Sequence, residues 1–480
     1  MNALWTSEQA AAATGGVATA PWTASGVSID SRTLESGDLF IAIRGPNHNG
    51  SHFIKSALDR GAAAAMASDD IETEPGAPLL IVKDTTIGLE DLGRAARDRG
   101  NAKIVGVTGS MGKTGTKEAL ALALGRQGPT SATKGNLNNQ WGLPLSLARM
   151  PRNTAYGVFE MGMNSPGEID ALSRLARPDV AIITNVDAVH LEFFDSETDI
   201  ATAKAEIFLG MDADGIAVLN RDNTYFGQLR NAALAAGVTD IRTFGVHTNS
   251  TSRLINATTH GDHSDVTAQI DAETIHYVVG APGQHWVMNS LAVLATVAAL
   301  GADVAKAAEA LTDLRPLVGR GARTTIETPS GSVLLIDESY NASPTSMRAA
   351  LSVLGAAGAE TAGRRIAVLG DMLELGPESN ALHAGLADCI ANNDIDLVFT
   401  VGPDMKHLAN VLPSDRAAGH ADNSKDIVTP VLETIGADDV VMVKGSLGSR
   451  MAAVVEALLT LRQSDHPANA RTVSKTANGR

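Results

Sequence analysis

Residues 107–120 read VTGSMGKTGTKEAL, in which Gly109, Ser110, Met111, Gly112, Lys113 and Thr114 form a glycine-rich stretch closed by an ammonium and a hydroxyl. An apolar run precedes it and a helical pattern follows, so the chain passes from strand to helix at this point. Glycine admits backbone conformations that bring N–H groups close to an anion, and a helix N-terminus adds partial positive charge. Lys113 would then reach the β and γ phosphates of a nucleotide, and the Thr114 hydroxyl would ligate magnesium. The common spacing G-x-x-x-x-G-K-[ST] fails here, because Val107 stands where its first glycine belongs. A glycine turn without a ligand is the bland rival, and Gly, Lys and Thr meeting at one strand-to-helix junction argue for nucleotide binding.

Other residues carry chemistry by position. Glu160 ends the apolar run YGVFE, and strand ends of a parallel sheet face the ligand crevice, where a carboxylate suits a magnesium ion; a solvated strand-end glutamate is the alternative. His190, in NVDAVHLEFF, is by itself an ordinary loop or core histidine, since imidazole is an unusual magnesium ligand. Lys204, in TAKAEIF, reads as a helix-surface cation. Asn289, in HWVMNSLA, follows a turn and opens a helix, as an adenine partner or an N-cap. Ser343, followed by Pro344, reads equally well as an N-cap. Arg32, between two strand-like runs, offers a planar fork to phosphate or a surface ion pair.

These groups need a scaffold, and 480 residues imply about three domains. In the first, residues 1–101, the β-like runs GVSIDSR, DLFIAI and LLIVKD alternate with helical stretches FIKSALDRGAAAAM and GLEDLGRAARDR. The second, residues 102–316, strings together KIVGVTGS, YGVFEMG, DVAIITNV and GIAVLNRD with helices between them, then changes to Thr- and His-rich antiparallel pieces at the sheet edge. The third, residues 317–465, repeats the pattern with SVLLIDES, RIAVLGDM, DLVFTVG and VVMVKGS, a doubly wound Rossmann-like domain. The fold class is therefore α/β: a small N-terminal domain, a central ATPase-like and mostly parallel sheet with an antiparallel edge, and a C-terminal doubly wound domain. The polar, aperiodic residues 466–480 are expected to be a disordered tail.

Thirty-eight basic against 54 acidic residues, a net charge of −16, argue against a nucleic-acid partner held by bulk electrostatics. The N-terminus has no basic and apolar leader, and no apolar run is long enough for a membrane span, so a cytoplasmic protein without membrane insertion is expected. A single cysteine, Cys389, excludes an intramolecular disulfide and reads as a buried helical thiol.

The form V-T-G-S-x-G-K-T resembles the ATP loop of the Mur ligase family. Further stretches resemble other parts of that family's sequence, in order and over almost the entire chain: DSRTLESGDLFIAI, KGNLNNQWGLPLSL, FEMGMNSPGEI, ITNVDAVHLEFF, AKAEIF, GQHWVMNSLA, GRGART, DESYNASPTSM, LGDMLELG and VKGSLGSRM. DESYNASPTSM, LGDMLELG and GNLNNQWGLPLSL resemble the members that add D-alanyl-D-alanine to a UDP-N-acetylmuramoyl-tripeptide; the D-N-P-R motif of the diaminopimelate-adding members is absent.

The resemblance implies ATP and Mg2+ as cofactors, small-molecule substrates and a monomer. It implies a catalytic group of Lys113, Glu160, His190 and Lys204, with magnesium on Thr114, Glu160, His190 and Lys204. The lysine is carbamylated in similar enzymes, which requires a neutral amine and hence a pKa lowered from about 10.4. Asn289 would meet adenine, although Trp286 stands where the family often has another asparagine. Arg320 and Asp337 would be a hinge pair facing phosphate and ribose. Ser31, Arg32 and Thr33 would contact the uridine diphosphate, while Asn138, Asn341, Ser343 to Ser346, Lys444, Ser446 and Arg450 would lie along the peptide substrates. A folylpolyglutamate synthetase-like ligase and a non-catalytic nucleotide switch are the rival readings; the third residue of the tripeptide is not legible.

Overall fold

Ala64–Ser68, whose first three residues end a stretch the sequence predicts as helix, shows what governs this chain: all five residues are buried and form a strand. Alanine is the best helix former, but here residues alternate between two faces. Ala64 and Met66 pack with Leu89 and Leu92, while Ala65 and Ala67 pack with Ile54 and Ala57. The helical part of that stretch is confined to Ile54–Asp59. Burial on both faces of a sheet outweighs the local preference.

The computed structural model describes residues 3–45, 49–70, 76–188, 192–194, 196–328, 331–358 and 362–464. The predicted tail at 466–480 and His190 lie outside them. The chain divides into two units, Met1–Leu314 and Arg315–Arg480.

In the first unit, a small sheet runs in the order Val17–Ala18, Leu79–Val82, Ala64–Ser68, Asp38–Ile41, Gly26–Ser28, parallel except for its first strand. The helix Thr85–Asp98 covers it, its N-terminus capped by Asp84, whose Oδ1 accepts the N–H groups of Thr86 and Ile87 at 2.7 and 3.0 Å. The same helix fastens the small sheet to the larger one: Arg97 donates to the carbonyls of Ala176 and Arg177 and to Asp179 at 3.0 to 3.2 Å.

The larger sheet has nine strands among the described residues, in the order Glu273–Val279, Ser264–Ile270, Ser252–Thr259, Asp240–Gly245, Ile216–Asn220, Val180–Ile183, Lys103–Thr108, Tyr156–Glu160, Thr130–Ala132. Seven pair in parallel, and the two at the first-named edge join through antiparallel pairings, so that Ser264–Ile270 alone among these nine runs against the others. Val105 and Val107 face a core shared with the helices Lys113–Gly125 and Gln284–Ala299, and Ile104 faces the opposite core with Phe159 and Ile207. Fully buried parallel strands must be apolar on both faces, which is why these runs show no alternation.

In the second unit the order is Ala322–Thr328, Gly331–Glu338, Val440–Lys444, Arg365–Gly370, Leu397–Val401, Ala417–Ala421, parallel except for the first strand. The two edge strands carry polar or small residues, ARTTIET and AAGHA, with no buried-strand pattern in sequence. Cys389 is half-buried, not buried, on the short helix Ala387–Asn392. No helix of the described residues is long and apolar enough to cross a membrane.

Candidate active site

The phosphate-loop candidate leaves the strand Lys103–Thr108 and enters the helix Lys113–Gly125 through two glycines that no other residue could replace without strain. Gly109 has φ +147° and Gly112 φ +80°; a Cβ on the first would lie 1.9 Å from Thr184 Oγ1, and on the second 2.8 Å from Asn289 Oδ1. The loop is held from behind by the segment after Val180–Ile183. Ser110 N–H donates to Asn185 O at 2.9 Å, Met111 N–H to Asn185 Oδ1 at 2.9 Å, and Asp187 N–H to Ser110 Oγ at 3.0 Å. The Thr184 hydroxyl donates to Met111 O. Ser110 and Met111, expected among the ATP-binding residues, direct their own N–H groups to Asn185, which leaves the N–H groups of the first helical turn to face an anion. Lys113 Nζ donates to Gly109 O at 2.5 Å, folding back over the loop, and Thr114 is buried at the helix start.

Glu160 stands at the same rim, since its strand pairs in parallel with the loop strand and aligns Glu160 with Val107. It is 2% exposed, and its Oε1 accepts from Asn138 Nδ2 at 2.8 Å. Its Oε2 is buried with no hydrogen-bond partner among the described residues. A buried carboxylate oxygen left in this state fits a cation ligand. Behind it Thr133 Oγ1 accepts Glu160 N–H at 3.1 Å, while Thr133 O accepts from Lys117 Nζ at 2.8 Å. Lys117 is fully buried, one helical turn after Lys113, and also pairs with Glu118. Sequence reasoning passed over it; its one signal is the four-residue spacing from Lys113 on a helix whose inner face is otherwise small or apolar.

Lys204 lies on the helix Glu197–Ala205 and is 2% exposed, so its reading as a surface cation is overturned. Burial, followed by the nearby charge of Lys113, pushes its ammonium well below the ordinary lysine range. An amine held in its neutral form is the one that carbon dioxide can carbamylate. Asn289 is not an N-cap either. The helix Gln284–Ala299 is preceded by Gly283, and Asn289 lies within it, against Gly112, while the Trp286 ring lies against Gly115.

At the N-terminal sheet Arg32 is paired with Asp30, Nε–Oδ1 2.9 Å and Nη2–Oδ2 2.7 Å, on an 85% exposed side chain. Ser31 O accepts from Arg60 Nη1 at 3.1 Å, and Thr33 N–H donates to Asp30 O at 3.3 Å.

The second unit gathers its expected residues at the C-terminal ends of adjacent strands. Lys444 Nζ donates to Glu338 Oε2 at 3.2 Å and to Asn341 O at 2.9 Å. Ser446 Oγ accepts Leu373 N–H at 3.0 Å. Ser343 and Ser346 cap the helix Pro344–Gly358 reciprocally, each N–H donating to the other's hydroxyl. Asp337 accepts Gly319 N–H at 2.8 Å with one oxygen and the Ser339 hydroxyl at 2.6 Å with the other. The Arg320 guanidinium lies 4.1 Å from the centre of the Tyr340 ring. Arg450 takes a left-handed conformation, φ +53°, just past the turn Leu447–Ser449.

Comparison with known proteins matches three successive stretches of the chain. Residues 23–104 match the model of the Mur ligase family, catalytic domain, residues 107–297 the Mur ligase middle domain, and residues 322–447 the Mur ligase, glutamate ligase domain. The UDP-N-acetylmuramoyl-tripeptide–D-alanyl-D-alanine ligase of Bacillus subtilis is 34% identical over 443 residues, covering 90% of this chain and 93% of that protein. Its Escherichia coli counterpart is also 34% identical, over 434 residues, with the same coverage. Among solved structures, MurF from Acinetobacter baumannii superposes with a TM-score of 0.82 at 27% identity, covering 95% of this chain and 99% of that one. MurF ligase from Thermotoga maritima, in complex with ADP, gives 0.75 at 27% identity, covering 92% and 98%.

Proposed function

The chain belongs to the Mur ligase family, and from that premise we propose that it joins D-alanyl-D-alanine to UDP-N-acetylmuramoyl-tripeptide with cleavage of ATP. The observation that carries this reading is the likeness to ligases so named along nine-tenths of the chain. The phosphate loop, the buried carboxylate of Glu160 and the buried amine of Lys204 supply the groups such a reaction needs.

A carboxylate is a poor electrophile because amine attack on it would have to expel oxide. The terminal carboxylate of the tripeptide therefore takes the γ-phosphoryl group of ATP, giving an acyl phosphate and ADP. The amine of D-alanyl-D-alanine attacks the acyl carbon, the new amide forms, and phosphate leaves.

Lys113 and the first turn of its helix meet the phosphates, offsetting negative charge as the γ-phosphoryl group approaches a second anion. Thr114, Glu160 and a carbamylated Lys204, with His190, would hold Mg2+. When bound, that ion offsets the charge accumulating between phosphate and carboxylate. Asn138 orients Glu160, and Asn289 lies beside the loop for adenine. Arg320 and Asp337 serve phosphate and ribose.

Residues 1–101, with Ser31, Arg32 and Thr33, take the uridine diphosphate end; residues 102–316 take ATP. Residues 317–465, with Asn341, Ser343, Lys444 and Ser446, take the peptide end and the dipeptide. That one chain carries every group named supports a monomer as the active species, and soluble nucleotide substrates support a cytoplasmic location.

The test is mass spectrometry of the product from ATP, D-alanyl-D-alanine and each tripeptide nucleotide, beside a folate acceptor. A pentapeptide nucleotide with stoichiometric ADP supports the proposal; ligation of the folate acceptor alone sinks it. Lys113→Ala should abolish dipeptide-dependent ADP release, and turnover near the parent level would refute the loop's role.

A further inference from the structure

The antiparallel edge of the large sheet carries a second cluster of ligand-type side chains. The strands Ser252–Thr259 and Ser264–Ile270 are joined by HGDH, and His260 N–H donates to His263 O at 2.8 Å, closing a two-residue Gly261–Asp262 turn. His260 and His263 are thus the cross-strand pair next to the turn. Asp265 lies two residues beyond His263 and shares its face by the period of a strand. Ser264, between them, points inward and is fully buried.

The result is a compact donor set. One ligand atom from each of His260, His263 and Asp265 falls within 4.8 Å of the others. The two imidazoles stack with centres 4.5 Å apart and planes 18° apart. Asp262 Oδ1 lies 2.5 Å from His263 Nδ1. A carboxylate only accepts, so this contact puts the proton on Nδ1 and turns the lone pair of Nε2 outward. That lone pair faces Asp265 Oδ1 at 3.9 Å. A carboxylate holding the far nitrogen of a histidine is the outer arrangement that fixes metal-ligating imidazoles elsewhere. Asp265 Oδ2 also lies 2.9 Å from His260 Nε2.

We propose that His260, His263 and Asp265 bind one divalent transition cation of the zinc class, with Asp262 orienting His263. Ligands at about 2.0–2.1 Å in a tetrahedral field stand about 3.3 Å apart. The 2.9 and 3.9 Å separations bracket that value, and a turn of one partly exposed imidazole out of the stack would bring both lone pairs onto the ion. In the neutral His260 ring the Nε2 proton moves to Nδ1 as the ion takes its place, with no net proton released. Nitrogen donors select zinc, cobalt or nickel over magnesium and calcium, which prefer oxygen. The site is separate from the ATP loop: three strands intervene, and four strand spacings of about 4.8 Å give roughly 19 Å. Bound metal would clamp the hairpin turn.

The test uses the full-length chain, stripped with a chelator and held in excess Mg2+ to occupy hard-cation sites. Zn2+ is titrated against a chromophoric competitor, and Co2+ is followed by its visible absorption. The parent should take up one ion per chain with tetrahedral cobalt bands. His263→Ala should weaken binding at least about tenfold, the scale on which metal-site changes act. Asp265→Asn keeps an acceptor for His260 and guards against a folding artefact; it should weaken binding similarly while ATP-dependent ligation is unchanged. A parent that takes up no zinc in excess Mg2+ overturns the proposal. So does uptake that survives in the His260→Ala, His263→Ala double variant.

Discussion

Replacing Lys204 by methionine keeps the length and most of the volume of the side chain and removes only the amine. Because Lys204 is 2% exposed and its ammonium is pushed down by burial and by Lys113, the folded protein binds this proton less well than the unfolded chain. The sign follows: above the unfolded value of about 10.4 both states hold a neutral amine and the lysine carries no penalty. As pH falls from there to the folded pKa, the unfolded chain alone takes up the proton, and the parent loses stability at up to about 1.4 kcal/mol per pH unit. The methionine variant lacks this term. In carbonate-free buffer without nucleotide, it should be more stable than the parent at pH 7, with the difference shrinking steadily towards pH 10. Thermal or urea unfolding of both proteins at intervals from pH 6 to 10 measures the difference directly. Added bicarbonate should stabilise only the parent, if carbamylation is what the neutral amine serves. Parallel stability profiles, or a variant less stable at pH 7, would refute the argument that the ammonium is disfavoured there. The same variant should lose ligase activity.

Three further outcomes follow from contacts around the loop. Gly112→Ala places a Cβ 2.8 Å from Asn289 Oδ1 at a left-handed φ, so ATP binding measured by calorimetry should weaken at least tenfold, or about 1.4 kcal/mol, and the melting temperature should fall with the strain. Asn138→Ala removes the donor to Glu160 Oε1; the magnesium concentration for half-maximal ADP release should rise about 10- to 100-fold, and kcat should recover at high Mg2+. Lys117→Met leaves Thr133 O without its buried donor, costing about 1–3 kcal/mol in urea unfolding. It should also lower kcat more than it raises KM for the dipeptide; an unchanged kcat would remove Lys117 from the support of Glu160.

The long apolar strands and the glycine loop were legible because period and punctuation survive in one sequence. Val105, Val107, Ile182 and Ile183 could be placed in a parallel sheet from their runs alone, since both faces are buried. Ala64–Ser68 was not legible because an alanine run scores as helix until its two packing partners are known. The edge strands Ala322–Thr328 and Ala417–Ala421 carry no buried stripe and were missed for the same reason in reverse. At the site, residue types and rim positions were readable, but burial was not. Nothing in TAKAEIF marks Lys204 as interior, and nothing in KTGTKEAL separates Lys117 from a surface lysine. Asn289 was misplaced because GQHWVMN hides that its helix starts five residues earlier.

Besides the bond from Lys113 to Gly109 within it, the loop at 109–114 is braced from outside by Thr184, Asn185 and Asp187, through pairs such as Met111 and Asn185 that stand 74 residues apart. Such a loop is set before any nucleotide arrives, so little chain entropy remains to be lost on binding. The two segments therefore stand or fall together in descent: Asn185 never touches ATP, yet its Oδ1 holds a backbone N–H that no new side chain at Met111 can replace, so a change there costs the loop its shape.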